Sequence, residues 1–210
     1  MPRPDQSFYL AHFTKNGEQY NSENHPNNPT IEQMSALERL VSILMQKRII
    51  ASNVPWTNRR AVCFTECPWG SLLRHADNYS PYGLGFTKKL VYSRNGNPVI
   101  YANPTLFHSQ GWSEEAHTLV TPFVPFYAAD KIKKCPPFYG RSVDYTHERE
   151  WRVAKDFAFS YINIRFVILK SVEDLQGIPE SIISEIGIEK FIYMDTYKKI
   201  EELWPTHIMD

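Results

Sequence analysis

Apolar and polar residues follow one another along this chain in two rhythms, which together assign most of its elements. Ser7–Phe13 (SFYLAHF) is apolar with aromatic weight and reads as a first strand. Met34, Leu37, Val41 and Leu44 recur on one face, so Thr30–Lys47 reads as an amphipathic helix, with Thr30 as its N-cap and Gln33 closing a capping box. Arg59–Glu66 (RRAVCFTE) has the short apolar run of a buried strand, and Pro68, Trp69, Leu72 and Leu73 suggest a brief helix after it. Tyr82–Lys89 and Pro98–Asn103 read as two strands of a hairpin, turned at Asn95-Gly96-Asn97. Ser113 is placed to cap a helix over Glu114–Val120, which Pro122 and Pro125 would end. Strands are expected at Glu150–Ala154, Ile162–Leu169 and Lys190–Met194, and helices at Pro179–Ile186 and Tyr197–Leu203. Strands outnumber helices without regular βαβ alternation, which favours α+β over a doubly wound sheet. Between the first strand and the first helix, Asn16–Pro29 is polar, rich in Asn and Pro, and reads as a loop insert.

At 210 residues the chain fits one domain spanning 1–210, with a sizeable core. Hydrophobic residues at 42% and charged residues at 22% are ordinary for a globular protein and exclude wholesale disorder. Lys+Arg and Asp+Glu are both 23, so no basic excess announces a nucleic-acid partner. The three cysteines, Cys63, Cys67 and Cys135, have neither a disulfide-framework spacing nor a second Cys/His pair at zinc-like distance, so no metal is expected. No apolar leader and no run of membrane-spanning length is visible, which makes a cytoplasmic protein with no membrane partner the default expectation.

Chemistry-bearing groups concentrate in four segments that put polar residues on otherwise apolar strands: Ala11–Thr14 (AHFT), Val62–Glu66 (VCFTE), Tyr82–Lys88 (YGLGFTK) and His147–Val153 (HEREWRV). Each has a structural reading beside a functional one. His12 fits a core histidine with one backbone hydrogen bond. Glu148, Glu150 and Arg152 share one strand face and fit an ion-pair ladder. Arg59 and Arg60 fit a solvated pair, and Thr65 and Glu66 fit caps for a following helix. Gly83 and Gly85 lack the remaining glycine of a dinucleotide fingerprint, and no phosphate-loop, zinc-protease or serine-hydrolase motif is present.

The order of HFT, a helix ending in SIL, VCFTE, YGLGF, NPVIY and EREWR resembles bacterial abortive-infection proteins of the AbiGi type over most of residues 8–154. It is similar as well to an adjoining family of unknown function carrying HFT and E-x-E-W-R. More distantly, YLAHFT and LVSIL followed by a late Glu-aromatic-apolar strand resemble DarT-type ADP-ribosyltransferases. That second resemblance implies a bent or split pair of mostly antiparallel sheets with peripheral helices, enclosing a cleft for NAD as substrate. It places His12 in the NAD pocket and Glu150 as the catalytic carboxylate; the NAD-gripping Arg has only a loose counterpart in Arg59 or Arg60. The long insert after His12 departs from that pattern.

The chemistry such a cleft needs is specific. Releasing nicotinamide passes through an oxocarbenium-like ribose, which a carboxylate such as Glu150 would stabilise. His12, with Thr14 and Thr65 on neighbouring strands, would meet ribose hydroxyls or the carboxamide. Arg60 would fork onto pyrophosphate, and Tyr82 or Tyr101 would stack on the nicotinamide ring. The acceptor would be a nucleic acid or a protein. The first resemblance carries a rival expectation of a different class: a non-catalytic antitoxin that acts with a cognate partner protein, or a sensor that binds a nucleotide without turnover.

Overall fold

A computed structural model describes residues 7–17, 33–54, 56–66, 79–127 and 142–203. The longest strand is β4 (Arg59–Thr65), and the main sheet is arranged around it. The eight strands run in the order β12 (Phe191–Tyr193), β11 (Phe166–Leu169), β5 (Gly83–Thr87), β1 (Tyr9–Phe13), β4, β9 (Glu150–Val153) and β6 (Asn97–Pro98), with β3 (Ser52–Val54) joined to β4 off that path. Only β11 and β12 are parallel, connected through α5 (Glu180–Ile186); every other pairing in this sheet is antiparallel. Two short ribbons flank it: β2 (Arg48–Ile49) with β10 (Phe157–Ala158), and β7 (Ile100–Ala102) with β8 (Val120–Pro122). The helices besides α5 are α1 (Ala36–Gln46), α2 (Lys88–Ser93), α3 (Pro104–Ser109), α4 (Glu114–Leu119) and α6 (Met194–Leu203). The protein is therefore a mixed α and β fold built on an open, mostly antiparallel sheet. The two ribbons lie beside one eight-stranded sheet.

Strand alternation gives the sheet one apolar face. Leu10, Val62, Phe64, Leu84, Phe86 and Val153 belong to the main core, with Leu40 and Leu44 of α1 packed on them. Phe64, Phe86 and Phe157 form an edge-on aromatic knot, with ring centroids 5.1 Å, 5.0 Å and 6.2 Å apart. The opposite face is less uniformly apolar. Ala11, Phe13, Ile168 and Met194 pack together at one end of it, and Ala102, Phe107 and Val120 form a third cluster at the other.

Several expectations shift. The helix α1 begins at Ala36, because Ser35 and Glu38 make the capping box and the extended backbone of Ser35 interrupts a continuous helix over Thr30–Lys47. Thr30 itself, most of the Asn16–Pro29 insert and the helix proposed after Pro68 lie outside the described residues. At the insert's near end, Gly17 N–H donates to the Met34 carbonyl and Asn16 Oδ1 accepts from Ala36 N–H, so its two stems are tied together. The hairpin is absent: Thr87 caps α2 directly after β5, Asn95 turns the chain with φ of 60°, and β6 pairs with β9. A threonine followed by Lys-Lys-Leu-Val reads equally as strand continuation or helix start, and the cap decides. Similarly, α4 runs into β8 before Pro122 is reached, and Tyr161–Asn163 is a 3-10 turn, so β11 starts only at Phe166.

At Gly83 the backbones of β1 and β5 approach closely, since a Cβ there would sit 2.7 Å from the His12 carbonyl oxygen. Backbone cannot swing aside as a side chain does. Gly83→Ala is expected to lower stability by about 1–3 kcal/mol, by overpacking, whereas Gly111→Ala, with open space around it, should leave the thermal midpoint nearly unchanged. Equal midpoints for the two variants would show that the ladder accommodates a methyl group at Gly83.

Candidate functional site

The site arises from a break in the pairing of β4. Its first three residues pair with β3 (Val54 with Arg59, Asn53 with Arg60, Ser52 with Ala61), and β1 meets it only at Ala11–Thr65. Val62, Cys63 and Phe64 thus have no partner on either strand, and one buried carbonyl there is answered by a side chain: His12 Nδ1 lies 2.8 Å from the Cys63 oxygen. A carbonyl only accepts, so the imidazole carries its proton on Nδ1. Burial pushes the His12 pKa below the ordinary 6.5, with the Cys63 hydrogen bond working the other way, so the ring is neutral at physiological pH.

Two cavities border this break, and His12, Lys15 and Ser52 touch both. The smaller, about 80 Å³, lies toward α1 and includes Thr14 and Arg39. The larger, about 250 Å³, lies over the opposite face, with Thr65, Glu148, Glu150 and Arg152 in its lining. Register fixes which face each candidate uses. Ala11 pairs with Thr65, and Thr65 with Glu150, so these three side chains share one face. His12 alternates to the other face, where its ring meets Phe64 edge-on at 5.9 Å. His12 and Glu150 therefore border one cavity from different faces of the sheet.

Glu150 is heavily engaged. Both its oxygens accept from Arg152, Nε and Nη2 each at 2.8 Å, with side-chain exposures of 11% and 3% for the pair. Arg152 spends its other donors on the Thr118 carbonyl (3.0 Å), the Val120 carbonyl (3.2 Å) and the Thr121 hydroxyl (2.7 Å). All five guanidinium N–H groups are thus committed, binding β9 to α4 and β8. Burial opposes the Arg152 charge, but Glu150 and Cys63 beside it together outweigh this and its pKa is raised. Cys63, directly across the ladder from Arg152, has its thiol pushed well up by burial and by Glu150, so it is not a nucleophile at neutral pH.

The open part of the cavity belongs to other groups. Arg149 turns the chain in the left-handed region, φ 45°, between a 3-10 turn (Thr146–Glu148) and β9. That turn is pinned by the Thr65 hydroxyl, which donates to the Glu148 carbonyl at 2.6 Å. Glu148 is 9% exposed and its carboxylate accepts from the Tyr79 hydroxyl at 2.8 Å. Burial raises the Glu148 pKa and lowers that of Lys15, whose ammonium sits 3.8 Å from the Tyr79 ring centre. Burial and Glu148 together push the Tyr79 hydroxyl far up. Trp56 and Tyr145 complete the wall, with ring centres 6.0 Å apart.

The remaining candidates are scattered. Thr14 donates to the Ala36 carbonyl at 2.8 Å and sits at the smaller cavity. Arg60 is exposed and forks onto the Ala51 carbonyl through Nε (3.1 Å) and Nη2 (2.8 Å), stapling β3 to β4. Arg59 pairs with Glu114 at 2.8 Å on the surface. Tyr82 packs on the main core and its hydroxyl donates to Asp174 at 3.3 Å, with its pKa pushed up to about 12 by burial and that carboxylate. Tyr101 stands behind β9, donating to the Tyr145 carbonyl at 2.9 Å. Neither tyrosine is among the residues bordering the two cavities. The groups that sequence reasoning passed over are Lys15, Trp56, Tyr79 and Tyr145. Only Lys15 had a legible signal, since it continues the Ala11, Phe13 alternation onto the cavity face. Among the described residues there is no group of three or more His, Cys, Asp or Glu able to hold a metal, and no helix long and apolar enough to cross a membrane.

These features define a mixed α and β protein with a small polar cavity over an open sheet. The chain belongs to the family described as "Putative abortive phage resistance protein AbiGi, antitoxin", whose model matches residues 35–177. That span runs from the Ser35 cap through β11 and includes Glu150 and Arg152, whereas His12 and Lys15 precede it. No curated protein and no solved structure matches the chain.

Two expectations follow. Arg152→Met leaves the Glu150 carboxylate buried without its partner and is expected to cost about 3–5 kcal/mol in chemical denaturation. The double variant Glu150→Leu/Arg152→Met should recover part of that loss; no recovery would mean that the bonds to Thr118, Val120 and Thr121 dominate. For His12, a folded pKa below 6.5 means that its contribution is complete above that pH and is lost as pH falls through the folded value. His12→Asn keeps a donor for the Cys63 carbonyl but does not titrate. The stability difference between wild type and His12→Asn should therefore be constant above 6.5 and shift against the wild type on acidification. His12→Leu, which strands the carbonyl, should cost about 1–3 kcal/mol at neutral pH.

Proposed function

We propose that this protein is the antitoxin half of an abortive phage-resistance system, relieving the growth arrest imposed by a cognate toxin without catalysing a reaction of its own. The family supports the phage-defence and antitoxin parts of this reading. The observation that carries the non-catalytic part is the state of Glu150. A catalytic carboxylate must present charge to a developing cation, yet both Glu150 oxygens are bound by Arg152. Arg152 in turn is anchored by three further acceptors and has no spare donor with which to swing away. The candidate phosphate clamp, Arg60, directs Nε and Nη2 onto the Ala51 carbonyl and does not border the cavity.

The rival is the NAD-consuming transferase, with Glu150 catalytic and His12 orienting ribose. Both residues border one cavity, which is what that reading asks for, although from different sheet faces. Two measurements separate the readings. Co-expressed with its cognate toxin, the protein should restore host growth, and folded Glu150→Gln should restore it equally well. Incubated with labelled NAD and host or phage extract, the wild type should transfer no label to any macromolecule. Labelling that Glu150→Gln reduces by about 10²-fold or more would replace the antitoxin reading with the transferase.

A further inference from the structure

The net charge of zero conceals two unlike parts of the chain. Residues 7–17, 79–113 and 157–171 carry six Lys and Arg and no Asp or Glu, whereas residues 172–203 carry eight Asp and Glu against three Lys. The first set includes β1, β5, α2 and β11, and the second includes α5, β12 and α6. A separation of this kind bears on what the surface attracts rather than on the fold. The sheet then gathers part of the basic set at one end. Strand β5 is antiparallel to both β1 and β11, so its C-terminal end lies beside their N-terminal ends. Tyr9 pairs with Thr87, the Phe8 carbonyl accepts from the Lys88 N–H at 3.0 Å, and the Arg165 N–H donates to the Gly85 carbonyl at 2.9 Å. Phe8, Tyr9 and Arg165 are thereby brought to the start of α2, along which Lys89, Tyr92 and the capping residue Arg94 follow.

Two kinds of side chain alternate over this end. Lys88 is turned inward, where it pairs with Glu66 and its ammonium lies 5.8 Å from the Trp151 ring centre. Lys89, Arg94 and Arg165 are exposed, and no carboxylate pairs with them. Between these cations the fold leaves aromatic rings in solvent: Phe8 is 73% exposed, Tyr92 67% and Tyr9 43%. Lys89 and Tyr92 are three residues apart on α2 and therefore neighbours on its surface. Tyr9 meets Phe166 edge-on at 5.9 Å. An acidic peptide would satisfy the cations but bring no flat partner for the rings. A duplex would bring phosphates but keep its bases stacked inside. A single strand supplies both, phosphates for the cations and unstacked bases for the rings.

We propose that the end of the sheet formed by Phe8, Tyr9, Lys89, Tyr92, Arg94 and Arg165 binds single-stranded nucleic acid, its cations meeting the phosphates and its exposed rings stacking on bases. The surface has no donor set that reads base edges, so recognition there is of strandedness rather than of sequence. With about three cations free to meet phosphates, the affinity is modest and strongly dependent on salt. The assignment goes beyond the antitoxin reading and does not rest on it, because this surface lies apart from Glu150, Arg152 and the cavity they border.

Fluorescence anisotropy of the full chain with labelled oligo-U, oligo-dT, a mixed-sequence duplex of the same length and a poly-glutamate peptide tests it, each oligonucleotide being about 12 nucleotides, within the usual range of single-strand sites. The two single strands should bind at low salt, and the duplex and the peptide at least about tenfold more weakly, through the stacking they lack. The logarithm of the affinity should fall with the logarithm of salt concentration at a slope of about −2, as about three phosphate contacts give on a single strand. Lys89→Glu/Arg165→Glu should abolish binding, Tyr92→Ala should weaken it about tenfold, and Tyr92→Phe should restore it. Lys170→Ala, at the other end of β11, should bind as the wild type does. All these side chains are exposed, and circular dichroism confirms that each variant is folded. Absence of binding by both single strands at low salt overturns the proposal, as does binding that the double charge reversal leaves unchanged. Duplex binding equal to that of the single strands, or indifference to Tyr92→Ala, overturns it in favour of unspecific charge attraction. Peptide binding as tight as that of the strands overturns it in favour of an acidic protein partner. Failed growth rescue with intact oligonucleotide binding would remove only the antitoxin reading.

Discussion

One guanidinium organises the polar side of this protein. Arg152 is placed by β9 beneath the layer formed by α4 and β8, and its five donors are met by one carboxylate, two backbone carbonyls and a hydroxyl. The carbonyls matter most for the fold. Thr118 and Val120 stand where α4 ends and β8 begins, so their oxygens would otherwise be buried at a helix terminus without partners. Burying a guanidinium is expensive, and Glu150 two residues earlier on the same face supplies the compensating charge. The pair is best understood as joinery: it attaches the β7–β8 ribbon and its helices to the main sheet, and it fixes one wall of the cavity as it does so.

The second constraint is the gap beside Val62, Cys63 and Phe64, which neither β1 nor β3 covers. An unpaired carbonyl inside a sheet would cost about 1–3 kcal/mol, and His12 answers it. Lowering of the His12 pKa by burial is consistent with this duty, because a neutral ring with its proton on Nδ1 donates to the carbonyl without introducing a buried charge. The gap also lets residues of both faces reach common space, which is why His12, Lys15 and Ser52 border both cavities. A uniform ladder would have sealed the sheet and left no cavity at this point.

Much of this was legible in the sequence, but unevenly. Buried strands with uninterrupted apolar runs, such as β4, and helices with a clear stop, such as α5, lie close to where periodicity puts them. The misplaced elements are those where two local signals compete. Ser35 with Glu38 starts α1 inside the span that apolar spacing reads as one continuous helix, and Thr87 ends a strand by starting a helix within one residue. At the site, the alternation of Glu148, Glu150 and Arg152 pointed to paired charges on one face, and Glu150 and Arg152 are so paired. It did not reveal that Arg149 breaks the strand with a left-handed turn, which frees Glu148 from the ladder and commits it to Tyr79. Contacts of that kind depend on tertiary approach. Trp56, Tyr79 and Tyr145 reach the cavity from outside the long strands, and no spacing in the chain announces them.

The two carboxylates illustrate how similar residue types acquire different duties a turn apart. Glu150 meets Arg152 through two hydrogen bonds, and the result is a saturated pair suited to holding structure. Glu148 accepts from the Tyr79 hydroxyl and lies within range of the Lys15 charge, while burial is the dominant influence and its pKa is raised. Lys15 shows the mirror image, burial lowering its pKa despite the nearby carboxylates. At both groups, burial outweighs the neighbouring charges. The cavity is thus bordered by two kinds of charge, a saturated pair in Glu150 and Arg152 and a pair of groups dominated by burial in Glu148 and Lys15.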